Sequence, residues 1–191
     1  RHRDVIGRAL SLVDRLAAVA GEDAIYESLT DANEQFRAGT VPVYPQGDWA
    51  AGVFAEADDF AFGTDWERVP FPGTEDMYAV VIDAVIPSAS ADSEALDRFL
   101  TYAGSPDGQE RFSQKKGSLP ARADVSMDGF GEFARSQKTQ FDRATEHPQS
   151  ITHGLSVSPA QLVDLKAAIA EFLDHRDVDA TTDEMVAVFD R

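Results

Sequence analysis

The sequence predicts an α/β fold rich in helix, on three observations. Apolar residues recur at helical spacing in a series of segments bounded by capping residues, glycine and proline. One β-branched run, Met77 to Pro87, is apolar at nearly every position, as a strand covered on both faces would be. The chain has 191 residues, 43% apolar and 27% charged, which is the composition of a folded domain with a buried core.

The elements follow in order. From Asp4 to Ala20, Val5, Leu10, Val13, Leu16 and Val19 predict an amphipathic helix that stops at Gly21. A second helix is expected from Asp23 to Arg37, with Ile25, Leu29, Ala32 and Phe36 inward and Gly39 as its end. Val41 to Pro45 reads as a short strand bounded by prolines. Gly47-Asp48-Trp49 opens a helix over Ala50 to Ala57, and Arg68 to Thr74 is held extended by Pro70 and Pro72. After the strand at Met77 to Pro87 comes a helix from Ser93 to Ala103. Ser105-Pro106-Asp107 then combines an N-cap, a first-turn proline and an acid at the positive end of the helix dipole. Further helices are expected over Gly129 to Arg143, Pro159 to Asp174 and Asp179 to Phe189. In the second of these Leu162, Leu165, Ile169, Phe172 and Leu173 form the core stripe; in the last, Met185, Val186 and Phe189 supply the apolar residues. The strands are too few and scattered to close a sheet by themselves.

Charge narrows the function classes. Lys plus Arg is 17 against 34 Asp plus Glu, a formal net charge of -17. Such a surface repels phosphate backbones and anionic lipid, so nucleic acid is not an expected partner. Only Lys115, Lys116, Lys138 and Lys166 are lysines, and aspartate outnumbers glutamate. Short hydrated carboxylates in place of long lysine stems suit concentrated salt, where self-repulsion is screened, and point to a salt-loving archaeal source; an ordinary acidic mesophilic protein is the other reading. No apolar run approaches the roughly 20 residues of a membrane span. There are no cysteines, which excludes disulfides, thiolate metal sites and thiol nucleophiles. The chain starts abruptly at Arg1, inside what reads as a helix, as a piece of a longer protein would.

No phosphate loop, dinucleotide fingerprint, zinc-protease motif or nucleophile elbow occurs. His147 and His153 are six apart across Pro148, which fixes no shared face for zinc, and Asp58-Asp59 lacks the pattern of a calcium loop, so neither metal nor cofactor is expected. Three polar clusters remain. Gly47-Asp48-Trp49 puts a carboxylate that accepts hydroxyl hydrogen bonds beside a flat indole, the pairing a sugar needs; Asp48 as a plain N-cap and Trp49 as core is the other reading. Lys115-Lys116-Gly117-Ser118-Leu119-Pro120 sits at a helix C-terminus, where cations are favoured in any case. Thr152-His153-Gly154 places an imidazole in an interhelical loop, either toward a ligand or simply toward solvent.

In order, QGDWAAGVF, RVPFPGT, VVIDAVIPSAS, FLTYAGSPDGQERFSQKKGSLPAR and THG resemble the C-terminal half of extracellular sugar-binding proteins of bacterial and archaeal ABC importers, nearest the branch that binds glucose and related monosaccharides. The resemblance runs from about Asp4 to the end, and departs at Leu119, where isoleucine is usual, and at Gln46. It implies the periplasmic-binding-protein-like II fold, in which two α/β lobes close on a sugar. Residues 1–74 and 124–191 would belong to the C-terminal lobe. Residues 77–116 would be the segment returning into the N-terminal lobe, which is otherwise absent. The family's cleft aspartate falls on Asp48, its lysine on Lys116 and its histidine on His153. Trp49 would supply the stacking face, and Asp83 on the hinge strand is a weaker candidate. The resemblance further implies ABC permease subunits as partners, a place outside the cell and a membrane anchor through the missing N-terminal region. No covalent chemistry is expected. The rival readings are a carbohydrate-active hydrolase using Asp48 and His153, and a signalling receptor on the same fold.

Overall fold

A computed structural model describes residues 2–20, 28–82, 85, 87–88 and 93–190. Among them eight helices occur: α1 (His2–Ala20), α2 (Leu29–Arg37), α3 (Trp49–Phe54), α4 (Glu94–Ala103), α5 (Pro106–Lys116), α6 (Glu132–Arg143), α7 (Pro159–His175) and α8 (Val178–Phe189). The chain divides into a terminal unit, Arg1–Leu29 with Gln149–Arg191, and a central unit, Thr30–Pro148.

The terminal unit is built from α1, α7 and α8. Ser158 and Gln161 form a reciprocal capping box at the start of α7: the Gln161 N–H donates to Ser158 Oγ at 3.3 Å and Gln161 Oε1 accepts from the Ser158 N–H at 3.0 Å. Gln161 Nε2 also donates to the Val188 carbonyl at 3.1 Å, which ties that helix start to the end of α8. The core comprises Leu10, Leu165, Ala168, Phe172, Thr181, Thr182 and Val188. The expected α1 stripe is rotated. Leu10 is 2% exposed but Val5, Leu16 and Val19 face solvent, and the covered positions are Ile6, Gly7, Leu10, Val13, Asp14 and Ala17. Gly7 sits opposite Thr182, so α8 meets α1 with its threonines, and Phe189 is 40% exposed. Asp177, one residue before α8, caps it by accepting from the Ala180 N–H at 3.0 Å.

The central unit is organised by a run of touching aromatic rings. Phe36 on α2 meets Phe54 on α3 at 5.6 Å between centroids, Phe54 meets Trp66 at 5.3 Å, and Trp66 meets Phe133 on α6 at 5.3 Å. These spacings are ordinary for favourable aromatic pairs, and they fix α3 relative to α6 through the intervening loop. Val125, Phe130 and Ala134, with Met127 against them, extend the core around α6. Ser105 caps α5 with Pro106 at its first turn, as expected, and Ser93, expected as the first residue of α4, is its cap; Gly117 ends α5 in the left-handed region at φ 85°.

Both expected strands need correction. Val41 to Pro45 forms no ladder with any described residue: Val41 and Pro42 bend after α2, and Tyr44 packs tilted on Phe36 with ring centroids 5.8 Å apart. Met77 to Pro87 pairs only at its beginning. Met77 makes an isolated parallel bridge to Glu146, and the N–H groups of Tyr78 and Val80 donate to the carbonyls of Glu146 and Pro148 at 3.0 and 2.8 Å. Val81, Ile82 and Val85 are exposed, and Asp83, Ala84 and Ile86 lie outside the described residues. A β-branched run becomes a strand only where a neighbour supplies the ladder, and among the described residues one short segment does so. The α/β reading is therefore realised in its helices, while its β part amounts to isolated bridges among the described residues. The second predicted helix is seen from Leu29, residues 21–27 being outside the described set, and α6 begins at Glu132, three residues later than expected.

Two glycines let α3 and α5 approach closely in the central unit. A Cβ on Gly52 of α3 would lie 2.2 Å from the Lys116 carbonyl oxygen, and one on Gly117 would lie 2.5 Å from the Gly52 nitrogen. Helix α3 thus touches the C-terminus of α5 backbone to backbone. Gly52→Ala is expected to push the two apart and destabilise the chain by about 1–3 kcal/mol in chemical denaturation, in line with overpacking against rigid backbone. Wild-type stability in that variant would contradict the contact.

Candidate functional site

The same glycine contact brings Lys116, the last residue of α5, beside Asp48 and Trp49 at the start of α3. Gln46 Oε1 accepts the Gly47 N–H at 2.8 Å, and Gln46 Nε2 donates to the Tyr44 hydroxyl at 2.7 Å, which fixes the approach to Asp48. The indole of Trp49 folds back over Gly47, where any Cβ would sit 2.3 Å from the ring. The glycine of this motif is therefore a seat for the tryptophan.

Asp48 does not act as a side-chain N-cap. Its backbone is helical, at φ -61° and ψ -24°, and its carboxylate makes no capping bond. The carboxylate is instead largely buried, and burial pushes its pKa above the usual carboxylate range. The charge of Lys116, a hydrogen bond from the Gln137 side chain, and the N–H groups of Trp49 and Leu119 act the other way and favour the ionised form. One carboxylate thus joins three stretches of chain: the start of α3, the turn after α5 and the middle of α6.

Lys116 Nζ lies 5.8 Å from the centre of the Phe112 ring, a cation–π distance. Trp49, Gly52, Val53, Phe112 and Lys116 line an open concavity of about 440 Å³, with the Lys115–Glu56 ion pair, 3.0 Å long, on its rim. Asp48 is not on that wall.

Three further polar residues gather here. Gln137 is 2% exposed, and its Oε1 has no hydrogen-bond partner. The Tyr78 phenol is pushed up to about 12, first by burial and then by the Asp48 charge, with Arg68 opposing. Arg68 is half-buried, with its pKa lowered by burial; its guanidinium donates to Gln140 Oε1. Nothing in the motif reading picked out these three. A signal was present for one of them: Phe133, Gln137 and Phe141 are spaced four apart on α6, so a glutamine interrupts an otherwise apolar stripe.

His153 belongs to the terminal unit, in a loop closed by Gly154 at φ 72°. Its Nδ1 lies 2.7 Å from Ser150 Oγ and 3.2 Å from Thr152 Oγ1, so two hydroxyls orient the ring. Asp83 lies outside the described residues. Of the five residues expected at the site, Asp48, Trp49 and Lys116 therefore stand together in the central unit. Among the described residues no group of three or more His, Asp or Glu side chains is arranged to hold a metal ion.

A family model described as bacterial extracellular solute-binding protein matches residues 3–137. The xylose/arabinose-binding protein XacG of Haloferax volcanii is 31% identical over 167 residues, which cover 86% of this chain and 36% of that protein. An uncharacterised ABC transporter extracellular-binding protein of Pyrococcus horikoshii is 32% identical over 142 residues, covering 73% of this chain and 32% of that protein. The chain spans about a third of the length of these curated relatives.

The burial of Asp48 has a consequence for stability against pH. A carboxyl whose pKa is raised by folding contributes most below its unfolded-state pKa, and that contribution is lost as pH rises through the folded value. From about pH 7 to about pH 4, the melting temperature of the wild type should therefore rise relative to Asp48→Asn, whose side chain does not titrate. A difference independent of pH would show that Asp48 titrates as if in water.

Proposed function

The chain belongs to the bacterial extracellular solute-binding protein family, and from that membership we propose that it captures a monosaccharide, glucose or a related sugar such as a pentose, for import by an ABC permease. The observation that carries this reading is the grouping of Asp48, Lys116 and Trp49. A pyranose presents vicinal hydroxyls that donate to a carboxylate and accept from an ammonium, and C–H faces that lie flat on an aromatic ring. Those three side chains supply one of each. The name of the Haloferax relative, a pentose-binding protein, agrees with a ligand of this size.

No step in this function makes or breaks a covalent bond. Sugar binding shifts an open–closed equilibrium between two lobes, and the closed form is what the permease reads. Residues 1–74 and 124–191 form one lobe in this proposal and residues 77–116 return to the other. That division concerns packing against a second lobe, whereas the two compact units group residues by contacts within the chain itself. The function places the protein outside the cell, held near the membrane by a segment additional to these residues. No helix among the described residues is long and apolar enough to cross a membrane. The acidic surface suits such a protein to concentrated salt.

Membership in a family of binding proteins favours this receptor reading over a hydrolase built on Asp48 and His153. Titration calorimetry with D-glucose, D-xylose and L-arabinose tests it. At least one sugar is expected to bind saturably and be recovered unchanged. Asp48→Asn should weaken that binding by about 10- to 100-fold, the worth of a charge-assisted hydrogen bond. Binding of none of the three, or equal binding by the variant, would contradict the proposal.

A further inference from the structure

Tyr78 holds an unspent hydrogen-bonding group beside the Asp48 carboxylate. Its main chain is fixed by the N–H bond to the Glu146 carbonyl, and its ring stands edge-to-face on Phe141 at 5.4 Å. Phe141 is one helical turn from Gln137, the residue that hydrogen-bonds Asp48, so the tyrosine and the aspartate meet the same face of α6. The Asp48 charge and the Arg68 guanidinium both act on the phenol, in opposite senses. Yet the Tyr78 hydroxyl makes no hydrogen bond to any described residue. The oxygen is not fully buried and retains access to solvent.

A mostly buried phenol normally spends its hydroxyl on a protein partner. One held rigid by its ring, open to solvent at its oxygen and adjacent to the site's carboxylate is placed to spend it on a ligand. We propose that Tyr78 is a further ligand-contacting residue of this site, its hydroxyl donating to an oxygen of the bound sugar. Arg68, anchored on Gln140, is close enough for its charge to act on the phenol, and that charge disfavours an O–H bond turned toward it, which leaves the hydroxyl hydrogen to point elsewhere. The phenol remains protonated throughout the physiological range and is therefore a donor whenever the sugar arrives.

This inference rests on the reading of the site as a sugar site, and the test separates the two. Tyr78→Phe removes the hydroxyl and keeps the ring that packs on Phe141. With D-glucose, D-xylose and L-arabinose as probes, the variant should bind about three- to tenfold more weakly than the wild type, with an unchanged melting temperature. Unchanged affinity in Tyr78→Phe alongside weakened affinity in Asp48→Asn would overturn the role of Tyr78 and leave the sugar site standing. Unchanged affinity in both variants, or no binding by the wild type, would remove the site and this inference with it. A second measurement covers a variant that folds poorly: the Cζ resonance of Tyr78 in tyrosine-labelled wild-type protein should shift on sugar addition. A resonance that stays in place while sugar binds would overturn the inference.

Discussion

The central unit depends on keeping one buried carboxylate satisfied. Removing an ionised group from water is costly unless donors replace the lost hydration, and Asp48 collects those donors from three places in the chain. The N–H of Trp49 comes from its own helix start, the N–H of Leu119 from the turn after α5, and the amide of Gln137 from α6. The Gly52–Gly117 contact makes this possible, because any side chain at either position would hold α5 away from α3. The touching rings of Phe36, Phe54, Trp66 and Phe133 tie α6 to α2 and α3. A carboxylate has about four acceptor positions, and three hydrogen bonds from within the protein hold this one in a fixed orientation.

Much of the helical frame was legible in the sequence because its signals are local. Ser93, Ser105 with Pro106, and Gly117 mark helix ends through their own side chains and backbone preferences, and each does so in the structure. The face that each helix buries was harder to read. On α1 the apolar residues wrap far enough round that Val5, Leu16 and Val19 looked as eligible as Leu10, and contact with the threonines of α8 decided between them. The strands were the least legible. Whether Val41 to Pro45 or Met77 to Pro87 forms a ladder depends on a neighbour far away in sequence, which no pattern within the segment specifies.

The site divides in the same way. Asp48, Trp49 and Lys116 belong to short motifs with unusual composition, and the structure gathers them. Tyr78, Arg68 and Gln137 come from an apolar run, a proline-rich stretch and a helix interior, where nothing local announces a polar role. They become a group through tertiary packing alone. In an acidic chain, Lys116 acts on this one carboxylate and Arg68 on the Tyr78 phenol, while cations such as Arg98, Arg111 and Lys138 pair with carboxylates on the surface.

The most direct measurement is a crystal structure of this chain grown with D-xylose or D-glucose. The account predicts a pyranose within about 3 Å of the Asp48 carboxylate and of Lys116 Nζ, with one C–H face on an aromatic ring of the central unit. A sugar bound elsewhere on the chain, with Asp48 still bonded only to protein donors, would contradict it.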